Sequence, residues 1–557
     1  MKHARLLILA ALVLIVGIPV VAGRVRRSGE AAHPAGHADR TLVVVTPHIE
    51  QIRLEFGLAF SRWHKRVHGE EVLIDWRTPG GTTEIRKLLE SQAEAAVAAG
   101  ACTVIAPRAL KDRGSEKEGL PEAVIDRERA DLPDVFFGGG SFEHTAAKTG
   151  IVTTATVEGA PTRVRVRISA PPGPAPFTGA YLESVYGPEN RVGVERLYDD
   201  DQFWFGTALS GFGIVYNRDL LRELDLNEPT SFAELGDPRL FRRVALADPR
   251  LSGSVATLYD AILNKEGWDR GWRTLREMSA NARYFSSSST QPPLDVSQGE
   301  CAAGVAIDFY GRGQSQSLIK PGADPSSSRV GYVDPPGATY VDADPASIIN
   351  GARHPELARR FVEFCLTDEA QALWQFAPLD RRPGVAADAL GPRHERLRRM
   401  PVKPSMYEKH LDRFTDKTNA FEIASQTPLR GWRDAIGPLM GAFAIDNLHE
   451  LHEAWAALIR ARADKSFPPA RLALMEEAFY AMPTQRITGP GGASSDLPLS
   501  EANYKVVSAF TGRWRDAEKG SQAKVAYTRF FREQYVKVTR LATQTTVGST
   551  APQLHRE

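Results

Sequence analysis

LVVVTPHIEQIRLEFGLAFSRWHKRVHGEEVLIDWRTPGGTTEIRKLL, residues 42–89, alternates two hydrophobic patterns. The apolar runs at residues 42–45 and 72–76 predict short, buried strands. Each run ends in a proline-containing loop, and the residues after each loop carry apolar side chains at helical spacing, beginning at Ile52 and at Ile85. Strand, loop and helix repeated in this order are typical of a parallel α/β sheet.

The same pattern recurs along the chain in two sets, which predicts two α/β lobes. A third strand is expected at 134–137, and residues 214–216 are interpreted as a strand that passes from one lobe to the other. The second set is predicted as a strand at 244–247, a helix at 252–264, strands at 304–308 and 331–334, and a helix at 355–374.

The domain organisation follows from these elements and from the helical stripes near the C-terminus, for example at Leu451, Trp455 and Leu458. We expect the C-terminal stripes to pack against the body. The predicted units are a first lobe at 41–215 with an inserted hairpin or loop near 151–176, a second lobe at 216–334, a return to the first lobe at 335–400, and a mostly helical C-terminal region at 401–557.

The first 40 residues predict export. Lys2, His3 and Arg5 precede a charge-free apolar run at 6–22, which is typical of a signal peptide over residues 1–23. An uncleaved anchor is the alternative, because the run is at the short edge of the length that spans a bilayer. Residues 24–40 are interpreted as a linker, and the protein is expected to be periplasmic, either free or tethered.

Composition excludes some classes of partner. Lys and Arg number 69 and Asp and Glu number 68, so the net charge of +1 gives no general attraction to nucleic acid. The basic run at 393–399 (RHERLRR) is interpreted as a solvated helix face. Cys102, Cys301 and Cys365 have no metal-type spacing and form no disulfide framework, so they are interpreted as buried small hydrophobic residues.

Three loops at predicted strand ends are rich in glycine and hydroxyl groups. In an open α/β sheet, ligands bind at the carboxyl ends of strands, where helix N-termini present unpaired N–H groups that suit anions. Glycine also allows the backbone to approach a ligand closely. The candidate ligand-binding residues in these loops are Thr78, Gly80, Gly81, Thr82, Gly139, Gly140, Ser141, Ser252, Gly253 and Ser254.

Four further residues are candidates from their positions. His48 follows the first strand, Asp308 and Tyr310 follow the strand at 304–308, and Trp204 could form an aromatic wall. The sequence contains no P-loop, no G-x-S-x-G motif and no H-E-x-x-H motif. It therefore predicts a binding protein without a cofactor and without catalytic residues.

The order of several segments along the chain resembles that of a known protein family. The segments VVVTPHIEQIRLEF, DVFFGGG, SGFGIVYNRDLL, VALADPRLSGSVATLY, AAGVAIDFYGRG and HPELARRFVEFCLTDEAQALWQ occur in an order that resembles the iron-type branch of extracellular solute-binding proteins, family 1. The resemblance implies a type II periplasmic-binding fold, with two α/β lobes and a two-strand hinge that closes around a ligand. It also implies a monomer whose partner is the membrane permease of an ABC importer.

The resemblance further implies a set of ligand positions. In ferric-binding relatives, iron is held by a histidine after the first strand, an acidic residue after the third strand and paired tyrosines, and an anion sits at a helix N-terminus. This sequence has His48 in the first place and Ser252 and Ser254 in the anion place. Glycines 139 and 140 stand in place of the acidic residue.

Phe309 replaces the first tyrosine and leaves Tyr310. Because Fe(III) prefers anionic oxygen ligands, this exchange favours a different cargo, a phosphorylated or carboxylated organic anion. No metal is favoured. The alternative is a ferric ion bound with a synergistic anion, in which case His48 and Tyr310 would be its ligands.

Two other functions remain open from the sequence. An enzyme on the same fold would need an acid–base pair in the cleft, and only His48 with Asp308 could provide one. A membrane-anchored ligand sensor would use the C-terminal region and a retained N-terminal segment to dock a partner. The leading interpretation is a binding protein that closes around its solute and delivers it to a permease.

Overall fold

A computed structural model describes residues 40–111, 119–319, 327–381, 384, 389–489 and 492–543. The predicted signal peptide or anchor and all of the linker except Arg40 lie outside these residues. Within the described part of the chain, no helix is both long enough and apolar enough to span a membrane.

The first lobe is built around parallel strands, as the sequence predicts. Strand β1 pairs in parallel with β2, with Arg40 opposite Val72, and also with β5. The elements of this part are β1 (Arg40–Val45), α1 (Glu50–His68), β2 (Val72–Arg77), α2 (Thr82–Ala98), β3 (Cys102–Ile105), β4 (Glu122–Ile125), β5 (Val135–Phe137), α3 (Ser141–Thr149), β6 (Ile151–Val157), β7 (Ala160–Val166), β8 (Ser169–Ala170), α4 (Gly179–Tyr186), β9 (Arg191–Val192), β10 (Glu195–Arg196) and β11 (Phe205–Asn217).

The segment predicted as an insertion near 151–176 contains the hairpin of β6 and β7. The hairpin extends a separate four-stranded sheet in the order β3-β4-β7-β6, and β8 joins the main sheet. Buried apolar residues of this sheet, among them Ala123, Val164 and Val166, pack against Ile85 and Leu89 of α2. The insertion is therefore a layer of the first lobe.

The second lobe repeats the parallel arrangement. Strand β12 pairs in parallel with β13 and β14, and the strand order is β13-β12-β14-β11. Its elements are α5 (Arg218–Glu223), β12 (Val244–Ala247), α6 (Gly253–Glu266), α7 (Trp268–Ala280), β13 (Ala282–Ser286), α8 (Gln291–Gln298), β14 (Ala303–Ile307), α9 (Asp308–Ser317) and β15 (Val330–Val333).

The chain then returns to the first lobe. Strand β16 pairs antiparallel with β5 and β11, which gives the order β2-β1-β5-β16-β11. The helix predicted at 355–374 is two helices, because the chain breaks at Leu366 and Thr367, where the Thr367 side chain caps the second helix. The elements are β16 (Val341–Ile349), α10 (Pro355–Cys365), α11 (Asp368–Gln375), β17 (Met400–Pro401), α12 (Pro404–His410) and α13 (Ala420–Ile423).

Strand β11 joins the two lobes. Its residues 205–211 pair with β16 of the first lobe, and its residues 212–217 pair with β14 and β15 of the second. The crossing point therefore lies at Gly211 and Phe212, slightly before the predicted strand at 214–216. All of β11 is buried. Gly213 is required there, because a Cβ atom would lie 2.2 Å from the carbonyl oxygen of Val333.

The C-terminal region is mostly helical, as predicted, and shares a hydrophobic core with the second lobe. Trp455, Phe531 and Tyr535 are buried in one cluster with Trp272 and Met278. The elements are α14 (Arg433–Met440), α15 (Leu448–Ala463), α16 (Pro469–Tyr480), β18 (Thr484–Thr488), β19 (Ser494–Pro498), α17 (Tyr504–Phe510) and α18 (Lys519–Thr543).

The chain passes from the core of the first lobe to the core of the second at a later point than the predicted boundary at residue 401. Met406, Tyr407, Phe414 and Ala424 are buried in the core of the first lobe, whereas Trp432 already belongs to the core of the second. The C-terminal region thus begins structurally between Ala424 and Trp432.

We predict that Phe531→Ala lowers the free energy of unfolding by about 3–5 kcal/mol, because a fully buried ring leaves a cavity in the core that α18 shares with the second lobe. Val525→Ala, on the exposed side of the same helix, should change it by less than about 0.5 kcal/mol. Urea unfolding followed by tryptophan fluorescence measures both. Equal stability of the two variants would contradict a shared core.

Candidate ligand-binding cleft

A cavity of about 410 Å³ lies between the two lobes. It is lined by the loops after β1, β2 and β5 of the first lobe and by the N-terminal ends of α6 and α8 of the second. The predicted residues that line it are His48, Gly80, Gly81, Thr82, Gly139, Gly140, Ser252, Ser254 and Tyr310. The structure therefore brings together predicted residues that are up to 262 positions apart in sequence, from His48 to Tyr310.

The two lobes touch at the edge of this cavity. A Cβ atom on Gly81 would lie 2.9 Å from the carbonyl oxygen of Leu251, and one on Gly253 would lie 2.6 Å from Oγ1 of Thr82. Only glycine permits so close an approach, so these two positions let the loops of opposite lobes meet. The cleft is closed in this structure.

Five predicted site residues lie elsewhere. Trp204 is 3% exposed and packs in the core of the first lobe, so its prediction as an aromatic wall is wrong. Asp308 is fully buried at the start of α9 behind the cavity, Thr78 is exposed outside it, and Gly253 faces Thr82. Ser141, the first residue of α3, lines a different cavity, which it shares with Asp342.

The N-termini of α2 and α6 reach the cavity from opposite lobes. The first turn of a helix leaves backbone N–H groups without intrahelical partners, and these groups attract anions. Ser252 caps α6, with its Oγ accepting a hydrogen bond from the N–H of Val255 at 3.4 Å. On α2, the carboxylate of Glu84 already accepts from the N–H of Gly81 at 2.8 Å. The N-terminus of α6 is therefore the better anion site.

A third group of hydroxyls, absent from the sequence predictions, also lines the cavity. Ser287, Ser288, Ser289 and Thr290 follow β13 and precede α8. The sequence feature that could have identified this part of the site is the run of four consecutive hydroxyl-bearing residues. It was missed because the strand before it, ARYFS, lacks the β-branched run that marked the other strand ends.

Asp344 organises the wall of the cavity in the first lobe. Its carboxylate accepts hydrogen bonds from Nε2 of His48 at 2.8 Å, from the N–H of Gly139 at 2.5 Å and from the guanidinium of Arg399. Burial opposes its ionisation, but Arg399 and His48 outweigh burial and hold the pKa of Asp344 well below its ordinary value. Burial also lowers the pKa of His48, so its ring is neutral near pH 7.

Arg399 is the positive group of the cavity and was missed by the sequence. The run 393–399 was predicted as a solvated helix face, and this is wrong because it forms no helix and Arg399 is buried. Glu55 of α1 instead accepts hydrogen bonds from the backbone N–H groups of residues 393–395. Arg399 lies 4.3 Å from the centre of the Phe309 ring, and its Nε has no hydrogen-bond partner among the described residues.

Asp342 also lines the cavity but does not add a full negative charge. Burial, and then the neighbouring Glu195, raise the pKa of Asp342 to about 8. The carboxyl group is therefore largely protonated at neutral pH and can donate a hydrogen bond. Asp344 is paired with Arg399 and Asp342 is largely protonated, so neither carboxyl group adds an unpaired negative charge to the cavity.

The side chains do not fit a ferric ion. His48 already directs Nε2 to Asp344, and the carboxylate of Asp344 is already paired with the guanidinium of Arg399, so neither group is free to hold a cation. In the described ranges, no three His, Cys, Asp or Glu side chains form a group that could hold a metal ion. The catalytic pair of His48 with Asp308 is not formed either, because His48 contacts Asp344 and Asp308 does not line the cavity.

Two α/β lobes joined by a shared strand, with a closed polar cleft between them, define a protein of the two-lobed solute-binding class. Residues 181–401, from α4 to β17, match the family described as bacterial extracellular solute-binding protein, and the match covers less than half of the chain. The members of this family are binding proteins, not enzymes, and they deliver solutes to ABC transporter permeases. Because they bind their solutes outside the cytoplasm, membership of this family implies export.

Several known proteins are similar to this chain. The phosphoglycerate transport regulatory protein PgtC of Salmonella typhimurium is 24% identical over 298 residues, which cover 50% of this chain and 71% of PgtC. The periplasmic binding protein AfuA of Actinobacillus pleuropneumoniae, solved with fructose-6-phosphate, is 15% identical with a TM-score of 0.41 over 60% of this chain and 82% of AfuA. The ferric binding protein of Campylobacter jejuni is 12% identical with a TM-score of 0.43 over 74% of this chain and 99% of that protein.

We predict that Ser252→Asp weakens anion capture at least tenfold. Aspartate caps a helix as well as serine does, so the fold is preserved, but its charge repels an anion at the N-terminus of α6. Thr178→Asp makes the same change at the exposed cap of α4, away from the cavity, and should leave affinity unchanged. Isothermal titration calorimetry measures both. Unchanged affinity of Ser252→Asp would remove residues 252–254 from the site.

Proposed function

We propose that the protein captures a small organic anion, phosphorylated or carboxylated, in the cleft between its lobes and delivers it to an ABC transporter permease. One observation carries this proposal: the capped N-terminus of α6 and the buried guanidinium of Arg399 line one cavity from different parts of the fold. Both are complementary to negative charge.

The hydrogen-bonding capacity of the cavity supports an anion with several oxygen atoms. The N–H groups of the first turn of α6, the guanidinium of Arg399 and the hydroxyls of residues 287–290 are all donors. A protonated Asp342 adds another donor. A phosphate or carboxylate offers the matching acceptors, and a volume of about 410 Å³ admits a compound of a few carbon atoms.

Hinge closure provides the mechanism. The donors belong to both lobes, so a bound anion contacts both only when the cleft is closed. The chain connects the lobes through β11, through the segment from β15 to β16, and through the segment between Ala424 and Trp432. Ligand contacts on both sides shift the population toward the closed state without a chemical step.

Phosphoglycerate is the first solute to test. It carries a phosphate and a carboxylate, and the similarity to the phosphoglycerate transport regulatory protein PgtC spans 50% of this chain. In this role we place the protein in the periplasm as a monomer.

A second candidate function is a ligand sensor, because the name of PgtC describes a regulatory protein. The same cleft would bind the same class of anion, and the closed form would then dock a signalling partner instead of a permease. Loss of phosphoglycerate uptake on deletion of the gene favours delivery to a permease. Unchanged uptake with a lost transcriptional response to phosphoglycerate favours the sensor.

We expect 3-phosphoglycerate to bind with 1:1 stoichiometry and Arg399→Gln to weaken binding at least tenfold, because the guanidinium is the charged donor of the cavity. Arg399→Gln alone leaves the carboxylate of Asp344 without its cation. The double variant Asp344→Asn with Arg399→Gln therefore tests the loss of the guanidinium without creating a buried unpaired charge. Arg239→Gln, an exposed residue paired with Asp237, is the matched control.

Calorimetry at fixed salt gives all four affinities. Full affinity in both Arg399 variants would contradict the proposed role of the guanidinium. Absence of binding to phosphoglycerate and to every other phosphorylated or carboxylated compound of similar size would contradict the anionic cargo.

A further inference from the structure

A second cavity, of about 590 Å³, lies on the other side of Asp342 from the cleft. Its walls come from α3 of the first lobe, α6 of the second lobe, and two parts of the C-terminal region, residues 429–434 and α17 with the residues after it. The C-terminal region therefore contributes directly to a chamber that the two lobes alone do not enclose.

Four carboxyl groups line this chamber; that of Asp434 is paired with Arg513 and Arg515, and the other three are those of Glu195, Asp260 and Asp342. Their residues are 8%, 7% and 5% exposed, and none of the three takes part in an ion pair among the described residues. Glu195 accepts hydrogen bonds from the hydroxyl groups of Tyr340 and Ser141. Oδ1 of Asp260 has no hydrogen-bond partner in the described part of the chain.

Buried carboxylates are normally paired with a cation, but none of these three has one within 4 Å among the described residues, and Arg433 only partly opposes the rise in the pKa of Asp260. Burial raises the pKa of all three groups, to about 7 for Asp260 and about 8 for Asp342. A positive group placed among them would restore their ionised forms and pair with the free oxygen of Asp260.

Four cationic residues also line the chamber, Arg430, Arg433, Lys505 and Arg513, and the donors of Arg433 are only partly used. The guanidinium of Arg433 donates from Nη2 to the carbonyl oxygen of Gly253 at 3.0 Å and lies 4.4 Å from the centre of the Phe142 ring. Its Nε has no partner among the described residues, and no ion pair within 4 Å joins it to Asp260. The Arg433 guanidinium and the Asp260 carboxyl group thus line one chamber and influence each other electrostatically, but they form no ion pair within 4 Å.

We propose that this second cavity binds a small zwitterion of the amino-acid class, with its ammonium group on Asp260, Glu195 and Asp342 and its carboxylate on Arg433. The aromatic rings of Phe142, Tyr340 and Tyr504 would hold the side chain of the ligand. This site shares Asp342 with the wall of the anion cleft, and it assigns a function to the C-terminal region.

The test uses calorimetry on the full-length protein with each of the twenty common L-amino acids, and with putrescine as an amine that has no carboxylate. We expect at least one amino acid to bind with a Kd below 1 mM and putrescine to bind at least tenfold more weakly. If no amino acid binds below 1 mM, or if putrescine binds as tightly as the best amino acid, the proposal is wrong.

Asp260→Asn locates the site. This change preserves the shape of the side chain and removes its charge, so it should weaken amino-acid binding at least tenfold while leaving the far-UV circular dichroism spectrum and melting temperature close to wild type. Glu501→Gln, at an exposed carboxylate paired with Arg430 on the rim, is the matched control and should bind normally. Full affinity in Asp260→Asn would overturn the assignment.

Discussion

The shared strand β11 is the constraint on which the rest of the structure depends. One half of its hydrogen bonds joins the sheet of the first lobe and the other half joins the sheet of the second, so two α/β units become a single continuous sheet of 11 strands. The crossing at Gly211 and Phe212 cannot shift its register, because a slip would put a side chain in place of Gly213, where a Cβ atom would lie 2.2 Å from the carbonyl oxygen of Val333. The strand ends of both lobes therefore open toward the same cleft.

The electrostatics of the cleft follow from how its acidic residues are compensated. Asp344 is ionised but paired with Arg399 and hydrogen-bonded to His48, and Asp342 is held largely protonated by burial. A cavity that contains carboxyl groups can thus still favour an anion, because the N-terminus of α6 and Arg399 supply the donors that remain. In the second chamber, by contrast, the buried carboxyl groups of Glu195, Asp260 and Asp342 and the guanidinium of Arg433 line one space without an ion pair within 4 Å between them.

The sequence predicted the fold well where periodicity was strong. The strands at 42–45, 72–76 and 244–247 and the helix starting near Ser252 are all present, and nine of the predicted site residues line the cleft. Residues 287–290 were missed because the strand before them lacks a β-branched run. Arg399 was missed because its position depends on long-range packing, such as the hydrogen bonds that the backbone N–H groups of residues 393–395 donate to Glu55, and such packing has no local signature. Trp204 was misplaced for the same reason: it immediately precedes β11, but its side chain turns into the core.

The nature of the cargo is the central claim, and native mass spectrometry of the protein purified from its own cell envelope tests it most directly. The account predicts a bound organic anion of low mass that carries phosphate or carboxylate, released on unfolding and identified by its fragments. Stoichiometric iron together with the visible absorbance of a tyrosinate complex would contradict it, because it would require Tyr310 to bind a cation beside the guanidinium of Arg399.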